Sequence, residues 1–178
     1  SLQTTDQRLP RTTVIRLVQA ATRATGKPWL GLELGEQAPV SAHGPLGYAA
    51  VTAPDLAHCL TVLGRYGAVR EDSFSWSFQA RAEGGTLQVI DRLDWGEARS
   101  FVIDTMAAAL VRVLQAALGE LPAGLRLDIP LPMPPWVARY TQALPMPLQF
   151  GQPALALHVP ATALRTPLLG ADARAHSA

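Results

Sequence analysis

The sequence predicts an α+β fold in which an N-terminal helical half packs on an antiparallel sheet, and three observations carry that expectation. Apolar residues recur at three- and four-residue steps as far as Tyr66. From Ser73 the period changes to strict alternation, the signature of a half-buried strand. After one long apolar helix, a proline-rich last third returns to short alternating runs. The element order expected is α-α-α-α-β-β-α-β-α-β-β.

The first helix is read from "RTTVIRLVQAATRATG", where Val14, Leu17, Val18, Ala21 and Ala24 form a stripe and Gly26 stands at the C-cap. Pro28 suits the first turn of a second helix in "KPWLGLELGEQA". Its two glycines weaken the helix, so fewer than three turns are expected there. "GPLGYAA" is a short helical or turn segment. A longer helix then begins near Thr52, with Thr52 as N-cap, Pro54 in the first turn and Asp55 favourable to the helix dipole. Leu56, Cys59, Leu60 and Leu63 form its apolar stripe, with Tyr66 at the edge.

Phe74, Trp76, Phe78 and Ala80 alternate with Ser75, Ser77 and Gln79, "AEGG" supplies a turn, and Leu87, Val89 and Asp91 alternate with Gln88, Ile90 and Arg92. This is an antiparallel hairpin. The longest helix follows at 98–118, with Val102, Met106, Ala109, Leu110, Val113 and Ala117 on its buried face and Gly119 ending it. Leu125, Leu127 and Ile129 read as a strand, 135–144 as a short helix burying Trp136, Val137, Tyr140 and Leu144, and 147–151 and 154–159 as two more strands. "LPMP" occurs at 131–134 and 144–147, bracketing the short helix as punctuation.

The bulk composition narrows the function. Of the 178 residues 48% are apolar and only 16% charged, so part of the surface is expected to meet another protein surface. Lys and Arg number 15 against 14 Asp and Glu, and the arginines are scattered singly, which gives no electrostatic footprint for nucleic acid. One cysteine permits neither an internal disulfide nor a cysteine-based zinc site, consistent with a reducing, cytoplasmic setting. No continuous apolar run reaches membrane-spanning length, and "SLQTTDQRLP" does not read as a signal peptide. The start without methionine and the small polar ending "ADARAHSA" suggest a piece of a longer protein.

Asp55, His58 and Cys59 look at first like a thiol beside an imidazole base. Successive helix positions point about 100° apart, which separates them into a capping acid, an exposed histidine and a core thiol. His43, His58, His158 and His176 have no ligand-like spacing, so no metal is expected. Glu33 and Glu36 in "ELGE" read as a solvated face, and neither a G-x-S-x-G turn nor a phosphate loop occurs. No catalytic residues, no cofactor and no enzyme activity are expected. The distinctive set is aromatic: Tyr48, Trp76, Phe78, Trp95, Trp136 and Tyr140, with Arg16, His43 and Arg92 as polar handles. Ligand pockets are largely apolar with a few placed polar groups, so Tyr48, Trp76, Phe78, Trp95, His43, Arg16 and Arg92 are the candidate ligand-binding residues, Tyr48 and Trp76 leading the set.

"LGLELGE" at 30–36, "GPLGYA" at 44–49, Thr52 with Pro54, and Arg65 with Tyr66 occur in an order that resembles the N-terminal effector-binding domain of a branch of AraC-type transcriptional regulators, the arabinose-binding-like kind. The ending "PLQFGQPALALHVPATALRTPL" continues the similarity, which spans nearly the whole chain. The resemblance implies a bacterial, cytoplasmic sensory and dimerisation domain at 1–170 that binds a small-molecule effector. It also implies that 171–178 begin a linker, and that DNA is contacted only through a C-terminal helix-turn-helix domain outside these residues. It does not imply arabinose as the effector. The competing readings are a ligand-independent dimerisation module and an enzyme using Cys59.

Overall fold

The computed structural model describes residues 9–171, so the expected linker at 172–178 and His176 lie outside the described residues. Four helices come first: α1 (Arg11–Thr25), α2 (Leu30–Gln37), α3 (Gly44–Val51) and α4 (Leu56–Arg70). Strands β1 (Phe74–Arg81) and β2 (Gly84–Asp91) follow, then the long helix α5 (Arg99–Leu118). Strand β3 (Arg126–Asp128), helix α6 (Val137–Ala143), strands β4 (Leu148–Gln149) and β5 (Leu155–Pro160), and a one-turn helix α7 (Ala161–Leu164) complete the α+β fold. The order matches the expectation apart from α7.

The sheet runs β1-β2-β5-β3-β4 and is mixed where an antiparallel one was expected. The first three pairings are antiparallel, but β3 and β4 pair in parallel, Leu127 opposite Leu148. The cause is α6: a helical crossover between β3 and β4 returns the chain to the end at which it started, and the second strand must run the same way as the first. Leu87, Leu127, Leu155 and Leu157 are at most 0% exposed and build the inner face of the sheet with Phe74 and Val89. The hairpin closes through a two-residue turn, with Arg81 paired to Gly84.

Helix α5 is the central beam. Ile103, Ala107, Val111 and Leu114 are buried along one side, and α2 is pressed against it through two glycines. A Cβ on Gly31 would lie 2.5 Å from the Phe101 carbonyl oxygen, and one on Gly35 would lie 2.5 Å from that of Thr105. The glycines that weaken α2 as an isolated helix are what let its backbone reach α5. An 18-residue window within Gly96–Leu118 has a mean hydropathy of 1.7, so by length and composition this helix is apolar enough to cross a membrane, although Asp104 and Arg112 interrupt its apolar run. Its apolar surface is instead used by the core. The Arg99 guanidinium grips Asp91 through two bonds of 2.8 and 3.1 Å and donates to the Pro130 carbonyl at 2.8 Å, tying the start of α5 to the end of β2. Hydrogen bonds from Arg99 hold the Asp91 carboxyl below its ordinary pKa.

Two local expectations are corrected. Asp55, not Thr52, caps α4: its carboxylate accepts from the His58 backbone N–H at 2.9 Å, whereas Thr52 closes α3. Helix α1 ends at Gly26 with φ 65° as expected, yet of its stripe only Val18 is buried and Leu17 is 56% exposed. The helix lies at the edge of the fold against the turn at 96–98, where Gln19 donates to Glu97 at 2.5 Å.

Candidate functional site

Where α3, α4, α5 and β1 meet they border a half-open cavity of about 610 Å³. Its wall from α5 is Val102, Met106, Ala109, Leu110 and Val113, the stripe read from the sequence as the buried face of that helix. Leu46 and Gly47 come from α3, Leu63 and Gly67 from α4, Phe74 and Trp76 from β1. The loop carrying Leu93 and Trp95, together with Val14 of α1, lines its remaining side.

Small residues make the space. A Cβ on Gly67 would fall 2.3 Å from Cδ2 of Trp76, so only glycine lets the indole lie flat against α4. Trp76 is then fixed by its Nε1–H, which donates to the Glu71 carbonyl at 3.2 Å. Gly47 allows α3 to meet the turn before it, where an added Cβ would be 2.5 Å from the Val40 carbonyl.

The polar groups are few and specifically placed. Nε2 of His43 and Nε1 of Trp95 are both buried without a hydrogen-bond partner, on two residues that line the cavity. Burial, and then the positive charge of Arg70, lowers the His43 pKa and keeps the ring neutral. Arg70 itself donates to the Ala42 carbonyl at 3.2 Å. Arg11, Arg70, Glu71 and Asp72 give the lining charges of both signs.

Of the candidate residues named from sequence, the structure gathers His43, Trp76 and Trp95 around this cavity. Tyr48, Phe78, Arg16 and Arg92 are not among its lining residues. Tyr48 is 70% exposed on α3, and Arg16 and Arg92 are exposed as well. Phe78 packs between α4 and the hairpin, where Cβ atoms on Gly64 and Gly85 would each come within 2.7 Å of it. Tyr140 is buried against Asp104, and Trp136 stacks at a tilt on Trp29 with ring centres 6.5 Å apart. Sequence reading missed Phe101, Thr105 and the Arg70–Ser73 corner. The cavity stripe on α5 was visible as periodicity, but periodicity cannot separate a wall facing a void from one facing side chains.

A second, polar concavity of about 530 Å³ lies on the outer face of the sheet. There Thr86, His158 and Arg126 are cross-strand neighbours. Asp128, only 9% exposed, accepts from Arg126 Nε at 3.2 Å and lies 2.7 Å from His158 Nε2. This network satisfies a sheltered carboxylate and orders the outer face of the strands.

Of the Asp55–His58–Cys59 trio only Cys59 turns away as helical geometry predicts, whereas Asp55 and His58, three residues apart, meet on one face. His58 Nδ1 lies 2.6 Å from Asp55 and is exposed, while Cys59 is 0% exposed. Burial pushes the Cys59 thiol up to about 12, leaving it protonated and unreactive at neutral pH. Among the described residues no three His, Cys, Asp or Glu side chains gather as a metal site would require.

Comparison with known proteins agrees with this architecture. The chain is 27% identical over 153 residues to the ornithine utilization regulator of Pseudomonas aeruginosa, a match covering 86% of this chain and 45% of that protein. It shares its fold with the crystal structure of the transcriptional regulator CdpR from the same organism, with a TM-score of 0.69 at 17% identity, over 94% of this chain and 60% of that one. The chain thus spans about half the length of these relatives, 45% of one and 60% of the other. Residues 1–168 match the model of the arabinose-binding N-terminal domain of AraC transcription regulators, and the chain belongs to that family.

Proposed function

We propose that this domain senses a small-molecule effector for a bacterial AraC-type transcription regulator acting in the cytoplasm. The bound effector would change how a separate C-terminal domain engages DNA. The observation that carries the reading is the largely apolar, aromatic-walled cleft of about 610 Å³. Its volume falls within the range of small-molecule pockets, and its chemistry is apolar with a few fixed polar points. The membership of the family and the regulators among its relatives support the same reading. Dissociation of the effector from such a site would be coupled to DNA affinity by the reciprocity of linked equilibria.

A thermal-shift screen of amino acids, sugars, fatty acids and aromatic acids tests the proposal. A ligand that binds only the folded state must raise its stability in a concentration-dependent way. Sensing is abandoned if every class leaves the folded domain unshifted.

Exposed apolar residues on α4, Tyr66 at 47% and Val69 at 77%, favour a second reading in which the domain also pairs with a copy of itself. Sedimentation decides it: a strict monomer at micromolar concentration removes the dimer.

A further inference from the structure

We infer that the cleft along α5 selects an extended apolar chain, a linear alkyl or acyl body, over compact or wholly polar molecules. This rests on the sensing function proposed above and names the body of its ligand. Helix α5 is apolar on two sides. Ile103, Ala107, Val111 and Leu114 are buried in the core, whereas Val102, Met106 and Ala109 are only half-buried and border the cleft. An apolar side that the fold leaves partly in water rewards a ligand that covers it.

Length decides the shape of that ligand. Val102 and Val113 border the same cleft, and at a rise of about 1.5 Å per residue the cleft follows α5 for about 17 Å. Spread over that length, the volume of about 610 Å³ leaves a mean cross-section of about 36 Å², or about 6 Å on a side. One extended chain fits such a slot, since neighbouring extended chains in a sheet stand about 4.8 Å apart. A fully extended chain advances about 1.2 Å per bond, because the three backbone bonds of a residue span at most about 3.6 Å, so the slot takes about ten to fourteen carbons. Leu46, Leu63, Phe74 and Trp76 supply further apolar wall. A sugar or a diamino acid would set hydroxyl or ammonium groups against these side chains without partners. Arg11 and Arg70 are offset by Glu71 and Asp72, so selection falls on the body of the ligand and not on the charge of its head group.

A series of uncharged alcohols isolates the body: 1-hexanol, 1-octanol and 1-decanol, with 1-adamantanol, which packs the carbon count of decanol into a cage, and arabinose and ornithine as polar comparisons. Each is titrated calorimetrically into the chain and into its Ala109→Phe and Ala138→Phe variants, whose folding is checked by circular dichroism and urea midpoint. Binding is expected to be one to one and to tighten by about three- to fourfold per added methylene as far as decanol, with adamantanol about tenfold weaker than decanol or worse. Ala109 borders the cleft, and a phenyl ring there would divide the slot about 10 Å from Val102. Ala109→Phe should therefore keep hexanol and lose the gain from hexanol to decanol. Ala138 is exposed on α6 and is not among the lining residues, so Ala138→Phe should keep the whole series. The inference is overturned if affinity is flat along the series, if adamantanol, arabinose or ornithine binds as tightly as decanol, or if a folded Ala109→Phe retains the dependence on length. Should that variant not fold, the alcohol series and the adamantanol comparison on the unaltered chain decide. Those contrary results would still leave a sensing domain, with a different ligand. Failure of every alcohol to bind overturns the inference too, and the broad effector screen then judges sensing separately.

Discussion

The Tyr140 hydroxyl donates a 2.6 Å hydrogen bond to Oδ1 of Asp104, a carboxyl only 1% exposed on the central helix, whose Oδ2 has no partner. Burial raises the Asp104 pKa from 3.8 to about 7, outweighing the opposite pull of the tyrosine bond. The unfolded chain ionises this group near its ordinary value, so the folded state binds the extra proton across the interval between. Its contribution to stability is complete below about pH 4 and is lost as pH rises through about 7. The loss has a ceiling of about 4 kcal/mol, three pKa units' worth. Asp104→Asn, which keeps an acceptor for Tyr140, should flatten this dependence and be the more stable protein at pH 8. Urea midpoints at pH 5 and pH 8 check it, and equal slopes in the two proteins would sink the idea.

Gly35→Ala should destabilise the fold by about 1–3 kcal/mol, despite alanine's better helix propensity. The added methyl would sit 2.5 Å from the Thr105 carbonyl oxygen and 2.6 Å from Cβ of Ala108, forcing α2 away from α5. Urea unfolding measures the change. A neutral or stabilising result would mean that the two helices can separate at no cost.

Asp55→Ala removes the carboxylate that accepts from the His58 amide and should cost about 1 kcal/mol. Thr52→Ala should cost clearly less, since its hydroxyl bonds back to the Tyr48 carbonyl at the end of α3 instead of opening α4. The reverse ranking in chemical denaturation would restore Thr52 as the helix cap.

Cys59 should resist an aromatic disulfide reagent in the native chain and react fully once urea unfolds it. Complete burial blocks access, and a thiol pushed up to about 12 supplies almost no thiolate at neutral pH. Rapid modification of the folded protein would reopen a reactive role for this residue.

Gly67→Ala connects packing to sensing. A Cβ there would overlap the Trp76 indole at 2.3 Å and push it toward the cavity, so effector affinity should fall by about tenfold or more, alongside a stability loss of about 1–3 kcal/mol. Gly64→Ala is the matched control: it crowds Phe78 at 2.7 Å, which is not among the cavity-lining residues, and should lose stability while keeping affinity. Equal affinity losses in both variants would show that the cavity is not the binding place.

Local pattern accounts for most of the elements. Alternation from Phe74 to Asp91, the glycines ending α1 and α5, and the leucine stripe of α4 each follow from one residue's geometry and its near neighbours. The burial of Cys59 away from His58 was likewise legible in the sequence from helical rotation, whereas the contact between Asp55 and His58 was not. By contrast, the cap of α4 was misplaced by three residues: Thr52 and Asp55 are both good caps, and the choice between them depends on where α3 stops.

What the sequence determined by itself was the α+β class and the order of its elements. Those depend on periodicity, turn chemistry and composition, which act over a few residues. The tertiary structure decided the parallel β3–β4 pair, the purpose of Gly31 and Gly35, and which aromatics share a cavity. His43, Trp76 and Trp95 meet there while Tyr48 faces outward, because helix packing distances and crossover directions, set by residues far apart in the chain, determine where space is left inside.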